Sequence, residues 1–359
     1  MSEHRAEAHS LALSDPDGIA PLLERFLRGC ESLTALEFYY RLERVTPLLE
    51  FHTMLRTGSQ NRSANGLQQS YGDHNRLLML GLDKLVAGDA EWYRTRLDAT
   101  GDVTDDELSS CLDRAATLDL RPEIALALWL AAALHDCGIL CGGAPYVDVE
   151  DGVVLSRDLV EALCPAGMRD LTYFVLRHHD YIKDAHLGEV PVSLIADALD
   201  ELDAALRSIA VAALGLVQVA GAASLGDGRL GAFRIAIFRS CLDGSALDDR
   251  SRLTRLSRLL HRGRPTTSQG RDVASALLDS LGPQDREKIE RLLENTSVHG
   301  WHRAITERDA QEQVSLLLAI ADAAHAEVEA DHVVLVDDGE PPRRAVALSG
   351  ARILALDCS

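Results

Sequence analysis

The segment RPEIALALWLAAALHD, residues 121–136, constrains the fold more than any other part of the chain. Residues 124–134 are apolar on every face of a helix, and Pro122 stands in the first turn, where its missing N–H is no loss. A helix of this kind is stable only when other elements cover it on all sides. The segment therefore predicts a helix buried inside a bundle, and this helix ends abruptly on His135 and Asp136.

Composition favours the same class of fold. Ala and Leu are abundant, and aromatic residues make up only 4% of the chain. A β-sandwich usually needs more aromatic and β-branched residues than this. The length of 359 residues allows two or three structural units. We therefore expect an all-α protein, a helical bundle with a helical C-terminal extension and a small β-strand tail.

Changes of pattern along the chain predict its division into regions. The stretch at 142–156 is rich in turn-forming residues and predicts a connector with a short hairpin, after which helix resumes at 157. The last 30 residues alternate and are rich in Val, which predicts two or three short strands. The expected regions are an N-terminal helical arm at 1–70, a central domain at 71–230, a helical extension at 231–330 and a short β tail at 331–359.

The charge of the chain restricts its partners. Asp and Glu total 56 against 36 Lys and Arg, a formal charge of −20. Such a surface repels phosphate backbones and anionic lipids, which argues against long nucleic acids and membranes as partners. We see no signal-peptide pattern and expect no membrane-spanning segment. The seven cysteines are scattered and odd in number, which favours a reduced, cytoplasmic protein.

Histidines carry the clearest chemical signal. His74 in GDHNRLL, His135 in ALHDCG and the pair His178–His179 in VLRHHDYI each stand beside Asp or another His in a separate apolar helix. One buried histidine is usually a hydrogen-bonded core residue. Burying several costs several kcal/mol unless they are coordinated or bonded, so a shared metal explains all three sites together. Imidazole and carboxylate ligands suit a divalent ion: Mn, Fe, Mg or Zn.

These motifs resemble the HD superfamily of metal-dependent phosphohydrolases over roughly residues 70 to 230. That family is an all-helical bundle whose metal ligands follow the order His, His-Asp, Asp. On this resemblance His74 is the first ligand and His135–Asp136 is the doublet. The HHD at 178–180 is similar to the second-shell or second-metal histidines of the HD-GYP branch.

The closing Asp of the resemblance has several candidates. GEVPVSLIADALDEL at 188–202 is similar to the HD-GYP stretch that contains this ligand, and the match falls on Asp197. The chain is about four residues shorter than that pattern, close to one helical turn, so Asp197 keeps nearly the same helix face. Alternatively, Asp197 belongs to a solvated acidic stripe. Asp322 in LLLAIADAAHAE and Asp227 in SLGDGR are rival ligands.

The sequence departs from the HD-GYP pattern in two ways, of which the first weakens the phosphate interpretation. Ile139 stands where that branch usually carries a Lys that meets phosphate, and no His occurs between 136 and 178. The second departure favours one metal ion over two. With a single metal ion, His178 or His179 would lie near the substrate and would not bind a second ion.

The sequence therefore predicts a metal-dependent phosphohydrolase that acts on a nucleotide or another small phosphate ester through a metal-activated water. The expected metal ligands are His74, His135, Asp136 and Asp197. His178 or His179 would steady the anion or protonate the leaving group, and Asp180 would orient its neighbour. Two alternatives stay open: an HD-fold iron oxygenase such as myo-inositol oxygenase, and a non-catalytic signalling or scaffold protein with a vestigial site. A homo-oligomer is compatible with either.

Overall fold

A computed structural model describes most of the chain. The described residues are 16–46, 61–62, 68–69, 71–97, 103–138, 149–187, 190–225, 231–247, 255–257, 260, 268–295, 310–322, 325–329, 332–336, 344–347 and 353–356. They are mostly helical, which confirms the all-α character predicted from composition and from the apolar segment at 121–136. The chain divides into two compact units, Met1–Asp180 with Ala198–Ala246, and Tyr181–Asp197 with Leu247–Ser359.

The first unit contains most of the helices. In chain order the elements are α1 Pro16–Leu27, α2 Ala35–Val45, the short antiparallel strands β1 Asn61–Arg62 and β2 Gln68–Gln69, α3 Tyr71–Val86, α4 Ala90–Leu97, α5 Asp105–Ala116, α6 Pro122–Leu134, α7 Val149–Leu163 and α8 Arg169–His178. After α9 Tyr181–His186 and α10 Ser193–Asp200, the first unit is completed by α11 Arg207–Leu225 and α12 Gly231–Asp243.

Helix α6 is central to this unit, as its sequence predicts. From Ile124 to Leu134 every side chain is buried except that of Trp129. The Trp129 indole stacks on Phe26 of α1, with ring centroids 5.3 Å apart, and lies 6.0 Å from the ring of Phe38 in α2. The first two helices, which lie in the region expected as an N-terminal helical arm at 1–70, therefore pack on the core of this unit.

Helix α11 is the second core helix, and it corrects one expectation. Arg207–Leu225 is long and apolar enough to cross a membrane by length and composition, whereas we expected no such segment. Inside the protein 83% of its apolar window is buried, between α3 and α12. The approach of α3 is close, since a Cβ added at Gly81 would lie 3.3 Å from the Cβ of Ala220.

Helix α7 begins earlier than the sequence suggested. The described part of the predicted connector and hairpin, from Val149 onward, is helix instead. Val153, Ser156 and Leu159 are buried at helical spacing. Gly152 and the acidic residues around it hide this periodicity, because they are typical of turns.

The second unit combines helices with one sheet. Its later elements are α13 Ser268–Ser280, α14 Pro283–Asn295, α15 Ala310–Asp322, β3 His325–Glu329, β4 His332–Val336, β5 Arg344–Ala347 and β6 Ile353–Leu356. The four strands pair antiparallel in chain order. The sequence predicted two or three strands after 331, but β3 already starts at His325. This strand was missed because Ala and Glu in HAEVE are helix-forming residues.

Candidate metal site

Three helix ends of the first unit bring together residues from the three predicted histidine motifs. His74 lies in the first turn of α3, whereas His135 and His179 are the residues that directly follow α6 and α8. The three rings are buried, and the side chain of Asp136 between them is 17% exposed. The rings of His74 and His179 lie 5.4 and 5.2 Å from that of His135, centroid to centroid.

His74, His135 and Asp136 form a group of the kind that holds a metal ion. Their ligand atoms all lie within 4.8 Å of one another. The two Nε2 atoms are 3.4 Å apart, and Oδ2 of Asp136 lies 3.1 Å from Nε2 of His135 and 3.8 Å from Nε2 of His74. Two donors that each bind one ion at about 2.1 Å are separated by about 3.0 to 3.4 Å at octahedral or tetrahedral angles. The group therefore fits one ion with only small adjustment.

His179 borders this group on the other carboxylate oxygen. Its Nε2 lies 3.6 Å from Oδ1 of Asp136 and 3.6 Å from Oδ2 of Asp180. Both separations exceed a normal hydrogen bond, and this buried nitrogen has no hydrogen-bond partner among the described residues. The Nε2 of His179 is thus available to a water or ligand bound beside Asp136.

Hydrogen bonds at Nδ1 orient His135 and His179. Nδ1 of His135 lies 2.9 Å from the carbonyl oxygen of Ala132, and Nδ1 of His179 lies 2.9 Å from that of Leu176. A carbonyl oxygen only accepts, so Nδ1 carries the proton in both rings. With Nδ1 as the donor, the neutral form of each ring would present an unprotonated Nε2 towards Asp136, which is the form that a metal binds.

Burial and neighbouring charge set the protonation of the group. Burial, with the proximity of His135, lowers the pKa of His74 from 6.5 to about 4. Burial by itself would raise the pKa of Asp136, yet the imidazoles of His135 and His179 hold it well below its usual value. Burial likewise opposes the charge on His179, but contact with Asp136 and the charge of Asp180 raise its pKa. Neutral His74 beside ionised Asp136 is the state that metal binding requires.

His178 and Asp197 are not members of this group. His178 is buried, and its ring packs 4.9 Å from that of Phe174, centroid to centroid. Asp197, the expected closing ligand, is exposed on α10. The buried residue of α10 is Ile195, and Asp197 lies two positions on, about 200° around the helix. Asp197 as the closing ligand stays a prediction from the resemblance.

Other expectations fall outside the described residues. Ile139 and Asp227 are not described, and neither is the side chain of Asp322.

Sequence reasoning missed two buried residues of α11 that contact the site. Ser224 Oγ lies 2.7 Å from Nδ1 of His74, and the Gln218 amide donates to the backbone oxygen of His179. The sequence does contain a feature that could have identified them: Gln218 and Ser224 are polar within the apolar run from 209 to 225. A polar residue in a buried helix needs a partner, and here the partners are site histidines.

No family model, curated protein or solved structure matches the chain. Fold and site together define a mostly helical protein with a candidate centre of two histidines and one aspartate for a metal ion.

Proposed function

We propose that the protein is a metal-dependent phosphohydrolase that cleaves a nucleotide or another small phosphate ester. One observation carries the proposal: the donor atoms of His74, His135 and Asp136, which come from two helix ends, lie within 4.8 Å of one another beside the buried Nε2 of His179. The order of these residues along the chain also matches the HD resemblance. Within this proposal the bundle is of HD type.

The proposed ligands are His74, His135 and Asp136. Three protein ligands leave coordination positions open, as catalytic sites require. Imidazole nitrogens favour Zn or Fe, so these two ions are preferred over Mg and Mn. A divalent ion bound there lowers the pKa of its water and polarises a phosphoryl oxygen.

His179 is the proposed proton-carrying residue. Its Nε2 lies 3.6 Å from oxygens of both Asp136 and Asp180, and two carboxylates favour the protonated ring. A protonated Nε2 can donate to a phosphate oxygen or to the leaving oxygen. Asp180 contributes negative charge beside the ring, which the Nδ1 bond to Leu176 orients. His178 is assigned no chemical step, because its ring packs against Phe174.

Metal analysis of the purified protein is the first test, followed by a phosphate-release screen with the metal that is found. We expect one ion per chain, with activity that is lost to a chelator and restored by the metal. His135→Ala should lose both the metal and turnover. His186→Ala is the control, since His186 lies on α9 and is not a member of the group. Unchanged phosphate release in His135→Ala would overturn the proposal.

The two alternatives give different results in the same experiment. Two irons per chain with oxygen consumption would identify an oxygenase. An intact fold that binds no metal would identify a non-catalytic protein. A cytoplasmic location stays a prediction from the scattered cysteines, and a small-molecule phosphate substrate stays one from the HD resemblance.

A further inference from the structure

Helix α11 places two buried polar residues against site histidines. Gln218 is 6% exposed and Ser224 is 2% exposed, in a helix whose other buried residues are apolar or glycine. The Gln218 amide donates a hydrogen bond to the backbone oxygen of His179, whereas Ser224 contacts a ring nitrogen of His74. Only the second contact acts directly on an imidazole that the proposed metal site uses.

The hydroxyl of Ser224 joins His74 to the backbone of α11. Its Oγ donates to the carbonyl oxygen of Gly221, 2.6 Å away, and lies 2.7 Å from Nδ1 of His74. A hydroxyl has one proton, and a carbonyl can only accept it. The Oγ must therefore accept from His74, which places the imidazole proton on Nδ1. Nε2 of His74 is then unprotonated where it faces His135 and Asp136.

We propose that Ser224 is a positioning residue that fixes the tautomer and orientation of His74 for metal binding. This inference rests on the proposed metal site. His135 and His179 receive the same restraint from carbonyls of their own helices, which no substitution removes. His74 differs, because its restraint is a side chain 150 residues away in sequence. A single substitution can therefore release this ring while its donor atom is retained.

The alternative is that Ser224 matters only for folding. Ser156 provides a matched control, because it is fully buried in α7 and its hydroxyl also donates to the carbonyl three residues back, that of Val153. Ser156→Ala removes the same kind of bond without touching a site histidine. Ser224→Thr keeps the hydroxyl and tests rescue.

The first measurement is ¹⁵N NMR of histidine-labelled, chelator-treated protein at pH 7.5, with the His74 signals assigned by their loss in His74→Gln. We expect the Nδ1–H tautomer for His74 in wild type, Ser224→Thr and Ser156→Ala. In Ser224→Ala we expect a shift towards the Nε2–H tautomer. Retention of a full Nδ1–H population in Ser224→Ala would overturn the proposal, and this result needs no metal.

The second measurement is the Kd for Zn²⁺ by competition with a chromophoric chelator. Loss of an outer-shell partner typically weakens metal binding about 10- to 100-fold, and we expect that loss in Ser224→Ala. Ser224→Thr and Ser156→Ala should bind as wild type does. Equal affinity in Ser224→Ala and wild type would overturn the positioning role. If wild type binds no Zn²⁺ while the tautomer still shifts in Ser224→Ala, the proposed function fails and the restraint on His74 stands.

Discussion

His135 and His179 occupy equivalent positions at the ends of two helices that pack against each other. Each directly follows its helix, α6 or α8, and each precedes an Asp. In each, Nδ1 donates to the carbonyl oxygen three residues back, at 2.9 Å. The planes of the two rings are nearly perpendicular, at 83°. The same local motif thus presents two Nε2 atoms to opposite oxygens of one carboxylate, that of Asp136.

Because His179 lies beside the proposed ligands without being one of them, its substitution tests proton transfer independently of metal binding. His179→Gln should keep the metal, because the group of His74, His135 and Asp136 stays complete. Turnover should fall about 10²- to 10⁴-fold, the usual contribution of a general acid or base. Metal content and kcat of the same preparation are the measurements.

Asp197→Asn is the paired variant. Its side chain is exposed and is not part of the group, so both metal content and kcat should match wild type. Loss of metal in Asp197→Asn would restore this residue as a ligand. Loss of metal in His179→Gln would make His179 a ligand and not a proton carrier.

The sequence was sufficient for the parts of the site that are local. Helix α6 and its terminal doublet could be predicted because one apolar segment must be buried whatever surrounds it. The two doublets could be found because an i to i−3 bond at a helix end needs no other element. Their convergence with His74 was an inference from the cost of burying several imidazoles, which depends on composition more than on topology.

The remaining features depend on packing between distant segments. In the sequence, Ser224 looks like an ordinary small residue of an apolar helix. Its contact with His74 depends on the packing of α11 against α3. Asp197 and Ile195 are two residues apart, and which of them faces inward is decided by the neighbours of α10, not by its spacing. Resemblance to a family motif therefore suggests Asp197 as a ligand but carries no information about this packing.

Acid should destabilise the metal-free protein through His74. Its pKa is about 4 in the folded protein and 6.5 ordinarily, so the unfolded chain binds the proton more tightly. Stability from this residue is full above pH 6.5 and is lost as the pH falls towards 4, on the order of 3 kcal/mol in total. Urea unfolding with chelator present at pH 7.5, 5.5 and 4.5 measures how the free energy of unfolding changes with pH. His74→Gln should show a shallower decline, and identical pH profiles for the two proteins would contradict this assignment.

Asp83 of α3 should stabilise the start of α2. Its Oδ1 and Oδ2 accept from the backbone N–H groups of Ala35 and Leu36, at 2.7 and 3.1 Å. These are first-turn donors that no intrahelical carbonyl can satisfy. Asp83→Ala should therefore lower the free energy of unfolding by about 1–2 kcal/mol. Asp113→Ala, at an exposed position of α5, is the control, and an equal effect of both variants in urea unfolding would contradict a capping role.

Two glycines of α11 should respond in opposite directions to alanine. A Cβ at Gly215 would lie 2.8 Å from the Cβ of Cys241 and 3.1 Å from a ring carbon of Phe238, so α12 must shift. We expect Gly215→Ala to lose about 1–3 kcal/mol of unfolding free energy. At Gly221 the nearest atom is a Leu78 methyl at 3.8 Å, an ordinary contact, and Gly221→Ala should gain about 0.5–1 kcal/mol from helix propensity. Urea unfolding of both variants measures these changes. A higher free energy of unfolding in Gly215→Ala would mean that α11 and α12 are not packed this closely.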